Sequence, residues 1–126
     1  CAIKVLVLDD DTSRKSRLFN FWLNVANKGD EEKFDFHWLT TSSRFLETVI
    51  ANKDITHISL DHDLGISDVS RELSKWMMTR PEDFDLAFKD KHIIIHSMNV
   101  VGSHNIANKL YGACASVQIL PFCQMR

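Results

Sequence analysis

The chain is poor in the residues that staple or break folds. Its 126 residues include three cysteines, two prolines, four glycines and one tyrosine. Cys1, Cys114 and Cys123 are odd in number and lack CxxC or zinc-ribbon spacing, which argues against a disulfide framework or structural zinc site and suits a reducing cytosol. No apolar run approaches the roughly 18 residues of a membrane span, and no charged-then-apolar leader stands at the front. A start at Cys1 suggests loss of an initiator Met or a late starting point. Charge of one sign is lacking too: the formal net charge of -2 gives no footprint for extended duplex binding through many phosphates. A small or end-group phosphate ligand stays open. What is present, 44% hydrophobic and 25% charged residues, is the composition of an ordinary globular protein, and residues 1–126 fit one domain.

Hydrophobic patterning predicts strands alternating with helices. Ile3–Leu8 is a continuous apolar strand; Thr12 or Ser13 caps a helix with the stripe Leu18, Phe21, Trp22 and Val25, ended by Gly29. Phe34–Leu39 is a second strand, followed by capping candidates from Thr41 to Ser43 and a helix with Phe45, Leu46, Val49 and Ile50 on one face. Ile55–Leu60 is the third strand. A helix from about Ser67 carries Val69, Leu73, Trp76 and Met77, and Pro81 stops it. Glu82–Lys91, with anchors Phe84, Leu86 and Phe88, reads as an irregular connection. His92–His96 is strand four, a helix spans about Gly102 to Tyr111, and Ser116–Leu120 is strand five. Five strands alternating with four helices imply a doubly wound α/β fold: a five-stranded parallel sheet of receiver (flavodoxin-like) topology lacking the last helix.

Three of these strands end in chemistry. Val5-Leu6-Val7-Leu8 runs into Asp9-Asp10-Asp11, Ile58-Ser59-Leu60 into Asp61-His62-Asp63-Leu64-Gly65, and Ile93-Ile94-Ile95 into His96-Ser97-Met98-Asn99. Carboxyl ends of parallel strands share one rim, where ligands bind in open α/β sheets. Asp9, Asp10 and Asp61 on that rim form a cluster that a hard cation, a proton or a basic group must compensate; Mg²⁺ or Mn²⁺ is the economical choice. The competing reading makes Asp10 or Asp11 a helix cap and Asp63 a turn residue. His62 and His96, at the ends of neighbouring strands, form a candidate acid/base pair for opening a cyclic phosphate. His37, His57 and His92 read as structural hydrogen-bonders, and His104 as an exposed residue near a helix start. Ser97, Asn99 and Gly102 lie where strand four enters a helix, whose backbone N–H groups suit phosphate oxygens. Ser97 is a hydrogen-bond donor before it is a nucleophile. Arg14, Lys15 and Arg44 can reach a phosphate or remain solvated.

These motifs resemble response-regulator receivers. Asp9-Asp10 match their acidic metal-binding pair, Asp61 the phospho-accepting aspartate and Ser97 the switch Ser/Thr, but Leu120-Pro121-Phe122 replaces Lys-Pro-Phe. With His62 in Asp61-His62-Asp63-Leu64-Gly65, His96 in His96-Ser97-Met98-Asn99-Val100-Val101-Gly102, and Asn105, the chain is more similar to the cyclic-phosphate-processing receiver-like domains of phages and bacteria. Val100 stands where proline is expected in that second motif. The resemblance implies a cytoplasmic phosphodiesterase acting on cyclic phosphates of RNA ends or nucleotides. Asp61, His62 and His96 would be catalytic, Asp63, Ser97, Asn99 and Gly102 would bind substrate, and Asp9, Asp10 and Asp61 would hold Mg²⁺ or Mn²⁺. The rivals are a receiver phosphorylated on Asp61 and a non-catalytic module that sequesters a nucleotide.

Overall fold

A computed structural model describes residues 2–30, 33–65 and 67–125; Cys1 lies outside the described residues. Five strands, β1 (Ala2–Leu8), β2 (Lys33–Leu39), β3 (His57–Leu60), β4 (His92–Ile95) and β5 (Ser116–Ile119), form one parallel sheet in the order β2-β1-β3-β4-β5. Five helices connect them: α1 (Lys15–Lys28), α2 (Phe45–Ala51), α3 (Val69–Thr79), α4 (Pro81–Phe88) and α5 (Val100–Leu110). After β5 the described chain makes only a 3-10 turn, Phe122–Gln124. This is the receiver-like doubly wound plan that the patterning predicts.

Both faces of the sheet are covered, which is why the central strands are apolar throughout and do not alternate with polar residues. Leu6, Leu8, Ile58, Leu60, Ile93 and Ile95 pack with α2, α3, α4 and α5, including Phe45, Leu73, Phe88 and Ile106. Ile3, Val5 and Val7 face the other way and pack with Leu18, Trp22 and Ala26 of α1 and with Met125. The parity of each strand residue therefore decides which layer it joins.

Glu82–Lys91 is where the expectation fails. Pro81 ends α3 and also opens α4 at its first turn, where its missing N–H and fixed φ cost nothing, with Glu82 and Asp83 behind it favouring the positive end of the helix. The buried positions are Phe84, Ala87 and Phe88, at helical spacing, while Leu86 is exposed. Reading Phe84, Leu86 and Phe88 as anchors skipped Ala87, which hid the period. Met77 is likewise exposed, and the α3 stripe is Val69, Ser70, Leu73 and Trp76. Caps also shift: Asp68 caps α3 through the Arg71 N–H, and Asn99 caps α5, which begins at Val100, two residues ahead of Gly102. No helix among the described residues is long and apolar enough to cross a membrane.

Candidate functional site

Three ladder hydrogen bonds extend the sheet one residue past its strands and build the rim. The Asp9 N–H donates to Leu39 O (3.0 Å), the Asp61 N–H to Leu8 O (2.9 Å) and the His96 N–H to Leu60 O (2.9 Å). Asp9, Asp61 and His96 thus sit side by side on the three central strands. All share the parity of Val7, Ser59 and Ile94, so their side chains turn to the α1 side. All three are buried, and each offers a ligating atom within 4.8 Å of the others.

The hydrogen bonds fix each group. His96 is fully buried, with Nε2 2.8 Å from Asp9 Oδ2 and Nδ1 2.8 Å from Ser59 Oγ. Nε2–H donates to the carboxylate, and the Ser59 hydroxyl, able to donate or accept, pairs with Nδ1. Asp9 Oδ1 accepts the Asp11 N–H at 2.8 Å. Burial by itself would raise the Asp9 carboxyl, but the His96 bond, the Asp11 N–H and the charges of His96 and Arg14 hold it below the usual carboxylate range. Asp61 goes the other way: burial first, and then the Asp9 charge, push it up to about 6. The Asp61 Oδ1 atom accepts the His62 N–H at 2.8 Å.

Arg14 is the basic group of this cluster. A 3-10 turn at Thr12–Arg14, capped by the Asp11 carboxylate on the Ser13 N–H (3.0 Å), carries it over the rim. Its Nη1 lies 3.4 Å from Asp9 Oδ2 and 3.6 Å from Asp61 Oδ2. The guanidinium also stacks over the Phe122 ring, 5.2 Å from its centroid. Arg14, read as solvated or phosphate-reaching, is paired with both buried carboxylates and only partly exposed.

His62 belongs to a different layer. Its ring turns to the α5 side and lies on Gly102, where an added Cβ would fall 2.5 Å from His62 Cγ. Nδ1 is 3.0 Å from Asp63 Oδ1, and Nε2 is 3.8 Å from Asp68 Oδ1. An Nδ1–H bond to Asp63 leaves the Nε2 lone pair free to take a proton, and in that tautomer the 3.4 Å approach of Asn99 Nδ2 to Nδ1 is a contact and not a bond. His62 and His96 therefore share the rim but point to opposite faces of the sheet. Ser97 is buried, its Oγ accepting the Asn99 N–H (3.0 Å), while Asn99 Oδ1 accepts the Gly102 N–H (2.9 Å). Those two residues shape the α5 terminus under His62. Asp10 is exposed and outside the three-residue cluster; its Oδ2 sits 3.5 Å from where a Cβ on Gly65 would be, and Gly65 holds φ +80. His104 is exposed.

The donor set suits a divalent cation. Two carboxylates and an imidazole within one coordination sphere form a mixed oxygen and nitrogen set, which favours Mn²⁺ over the strictly oxygen-seeking Mg²⁺. Ser59 fits the same purpose, because its Oγ can accept as well as donate, so Nδ1–H can turn to it while Nε2 faces an ion. Ser59 escaped the sequence reading, although strand parity puts residue 59 on the face of Asp61.

A sequence profile described as the cyclic-phosphate processing receiver domain matches residues 4–112. The chain belongs to that family. The match covers all three strand-end motifs of this cyclic-phosphate processing receiver domain and stops just before β5, the strand that leads into Leu120-Pro121-Phe122. No curated protein matches the chain significantly.

Proposed function

We propose that this receiver domain is a phosphodiesterase that opens cyclic phosphates of RNA ends or nucleotides by adding water. The observation that carries the reading is the two-sided rim: a compensated acidic cluster on one face, and beside it, one residue along β3, an imidazole with an oriented free nitrogen. Asp9, Asp61 and His96 would hold Mn²⁺ or Mg²⁺, whose chemistry is to neutralise phosphate charge and lower the pKa of water.

His62 is the proton-transfer residue. Its Nε2 takes the proton from water, and Asp63 on Nδ1 stabilises the imidazolium; the same Nε2–H is then placed to protonate the departing ribose oxygen. His96, enclosed between Ser59 and Asp9, positions the Asp9 carboxylate instead of exchanging protons with substrate. The proposal thus splits the expected histidine pair into one proton carrier and one positioning residue. Ser97 and Asn99 fix the α5 terminus against which the phosphate lies.

Hydrolysis of a cyclic-phosphate substrate, with and without Mn²⁺ or Mg²⁺, is the test. His62→Gln should lower turnover by roughly 10²–10⁴-fold, the usual worth of positioned proton transfer, with circular dichroism unchanged. Full activity in His62→Gln removes the role assigned to it. Tight binding with no turnover in the wild type converts the enzyme into the sequestering module.

A further inference from the structure

The acidic cluster and His62 do not line the large cleft next to them. That cleft, about 470 Å³, lies between the β2–α2 loop and α3 and reaches the rim through Leu64 and Ser67, on the same β3–α3 loop as His62 and Asp63. Its mouth and the reacting rim are therefore neighbours along one loop, which Asp63 and Asp68 pinch by an antiparallel bridge. The other sizeable cavities lie elsewhere: one at the opposite ends of β3 and β4, beside His57 and His92, and two along α1.

We infer that the cleft is a subsite for the nucleotide preceding the cyclic phosphate, so that the substrate is an RNA 3′ end and not a free cyclic nucleotide. This rests on the phosphodiesterase reading for its purpose, but its chemistry is independent. Thr41, Ser42 and Ser43 of the β2–α2 loop and Ser67 of the β3–α3 loop line it with hydroxyls, small donors and acceptors that match ribose and phosphate oxygens. The α3 wall carries Lys75, exposed and without an ion pair among the described residues, whereas the neighbouring Arg80 is occupied by Glu47 and Asp83. Lys75 is thus the cation available for one bridging phosphate. Glu72 on the same wall opposes a second phosphate and can accept from a 2′-OH, the group that marks RNA. Trp76, buried against Phe45, forms the apolar floor. A group held in this cleft lies beside the reacting rim and not on it, because neither His62 nor the acidic cluster lines it.

The experiment compares adenosine 2′,3′-cyclic phosphate with the trinucleotide ApApA closed by a 2′,3′-cyclic phosphate, in calorimetric binding and in turnover, for the wild type, Lys75→Ala and Ser42→Ala. The trinucleotide should bind more tightly than the mononucleotide. Lys75→Ala should weaken it roughly fivefold, the upper range for an exposed ion pair, and should reduce the dependence of log affinity on log salt by about one. Mononucleotide binding should not change, and Lys75, exposed on α3, leaves the fold intact. Equal binding of both ligands by the wild type, or equal loss of both in Lys75→Ala, overturns the subsite. Selective trinucleotide binding without turnover supports the subsite and removes the phosphodiesterase reading. Equal turnover of both ligands without selective binding does the reverse.

Discussion

Gly102 is the residue on which the placement of His62 turns. Its helix is ordinary, but a Cβ there would stand 2.5 Å from His62 Cγ and 2.7 Å from Nδ1. The ring is tied at Nδ1 to Asp63, with Asn99 against the same nitrogen, so moving it away disturbs that bond. Gly102→Ala should therefore displace His62 and cost roughly 1–3 kcal/mol from overpacking, despite alanine's better helix propensity. A denaturant melt combined with the turnover assay checks this: unchanged stability and activity together would show the ring to be mobile. Sequence singled Gly102 out as a phosphate contact. The structure gives it a second purpose that no spacing rule reveals, because His62 and Gly102 are forty positions apart and only tertiary packing brings them together.

His57 supplies a pH signature remote from the rim. Burial, and next the adjacent His92 whose ring stacks 5.1 Å away, pull His57 from 6.5 to about 4. The unfolded chain takes up the proton first as pH falls, so stability declines between pH 6.5 and about 4 and rises again with pH. The loss should be on the order of 2 kcal/mol, allowing for partial solvation. Asp61 works against this in the same window, because a raised carboxyl favours the fold below its ordinary value and loses that contribution as pH climbs through about 6. Chemical denaturation across pH 4–7 should show the two contributions nearly cancelling in the wild type, whereas His57→Gln keeps only that of Asp61 and loses stability as pH rises; identical curves would place the His57 proton equally in both states.

At the scale of elements, the Thr12–Arg14 turn decides how the acidic cluster is balanced. Clustered carboxylates need a cation, a proton or a basic group, and the strand-end acids by themselves point to the first. The turn delivers the third, because Asp11 caps it and swings Arg14 over Asp9 and Asp61, while Phe122 supports the guanidinium from the C-terminal turn. A metal held by Asp9, Asp61 and His96, as proposed, would share the same carboxylates with the Arg14 charge. Arg14→Gln should lower metal-free stability by about 1–3 kcal/mol, as an uncompensated buried charge does. It should also tighten Mn²⁺ binding in calorimetry. Weaker Mn²⁺ binding in that variant would mean that Arg14 helps to organise the ion site instead of competing with it.

For the whole molecule, ligand binding at the rim adds to global stability by mass action, since the site spans β1, β3 and β4 and exists only when they are paired. Millimolar Mn²⁺ should raise the melting midpoint, Asp9→Asn and Asp61→Asn should abolish the rise, and Asp10→Asn should keep it. An Asp10→Asn variant that loses the shift would restore Asp10 to the metal set in place of His96. The signalling rival concerns the same rim, and it meets an Asp61 already bonded to the His62 N–H and faced by Arg14, with Leu120 where receivers carry lysine.

Alternating apolar runs and helical stripes determined the sheet, its parallel sense and the three strand ends that carry chemistry, because burial on both faces leaves a pattern that local sequence must obey. Period also misled where a small residue did the packing, as Ala87 does in α4. Which rim groups meet was a tertiary matter. Register placed Asp9, Asp61 and His96 in one row, parity sent His62 to the other face, and α5 docking put Gly102 beneath its ring. Sequence names the groups that reach a rim; the sign of one strand residue's parity and the distance between elements decide which of them touch, and those are properties of packing that no single segment carries.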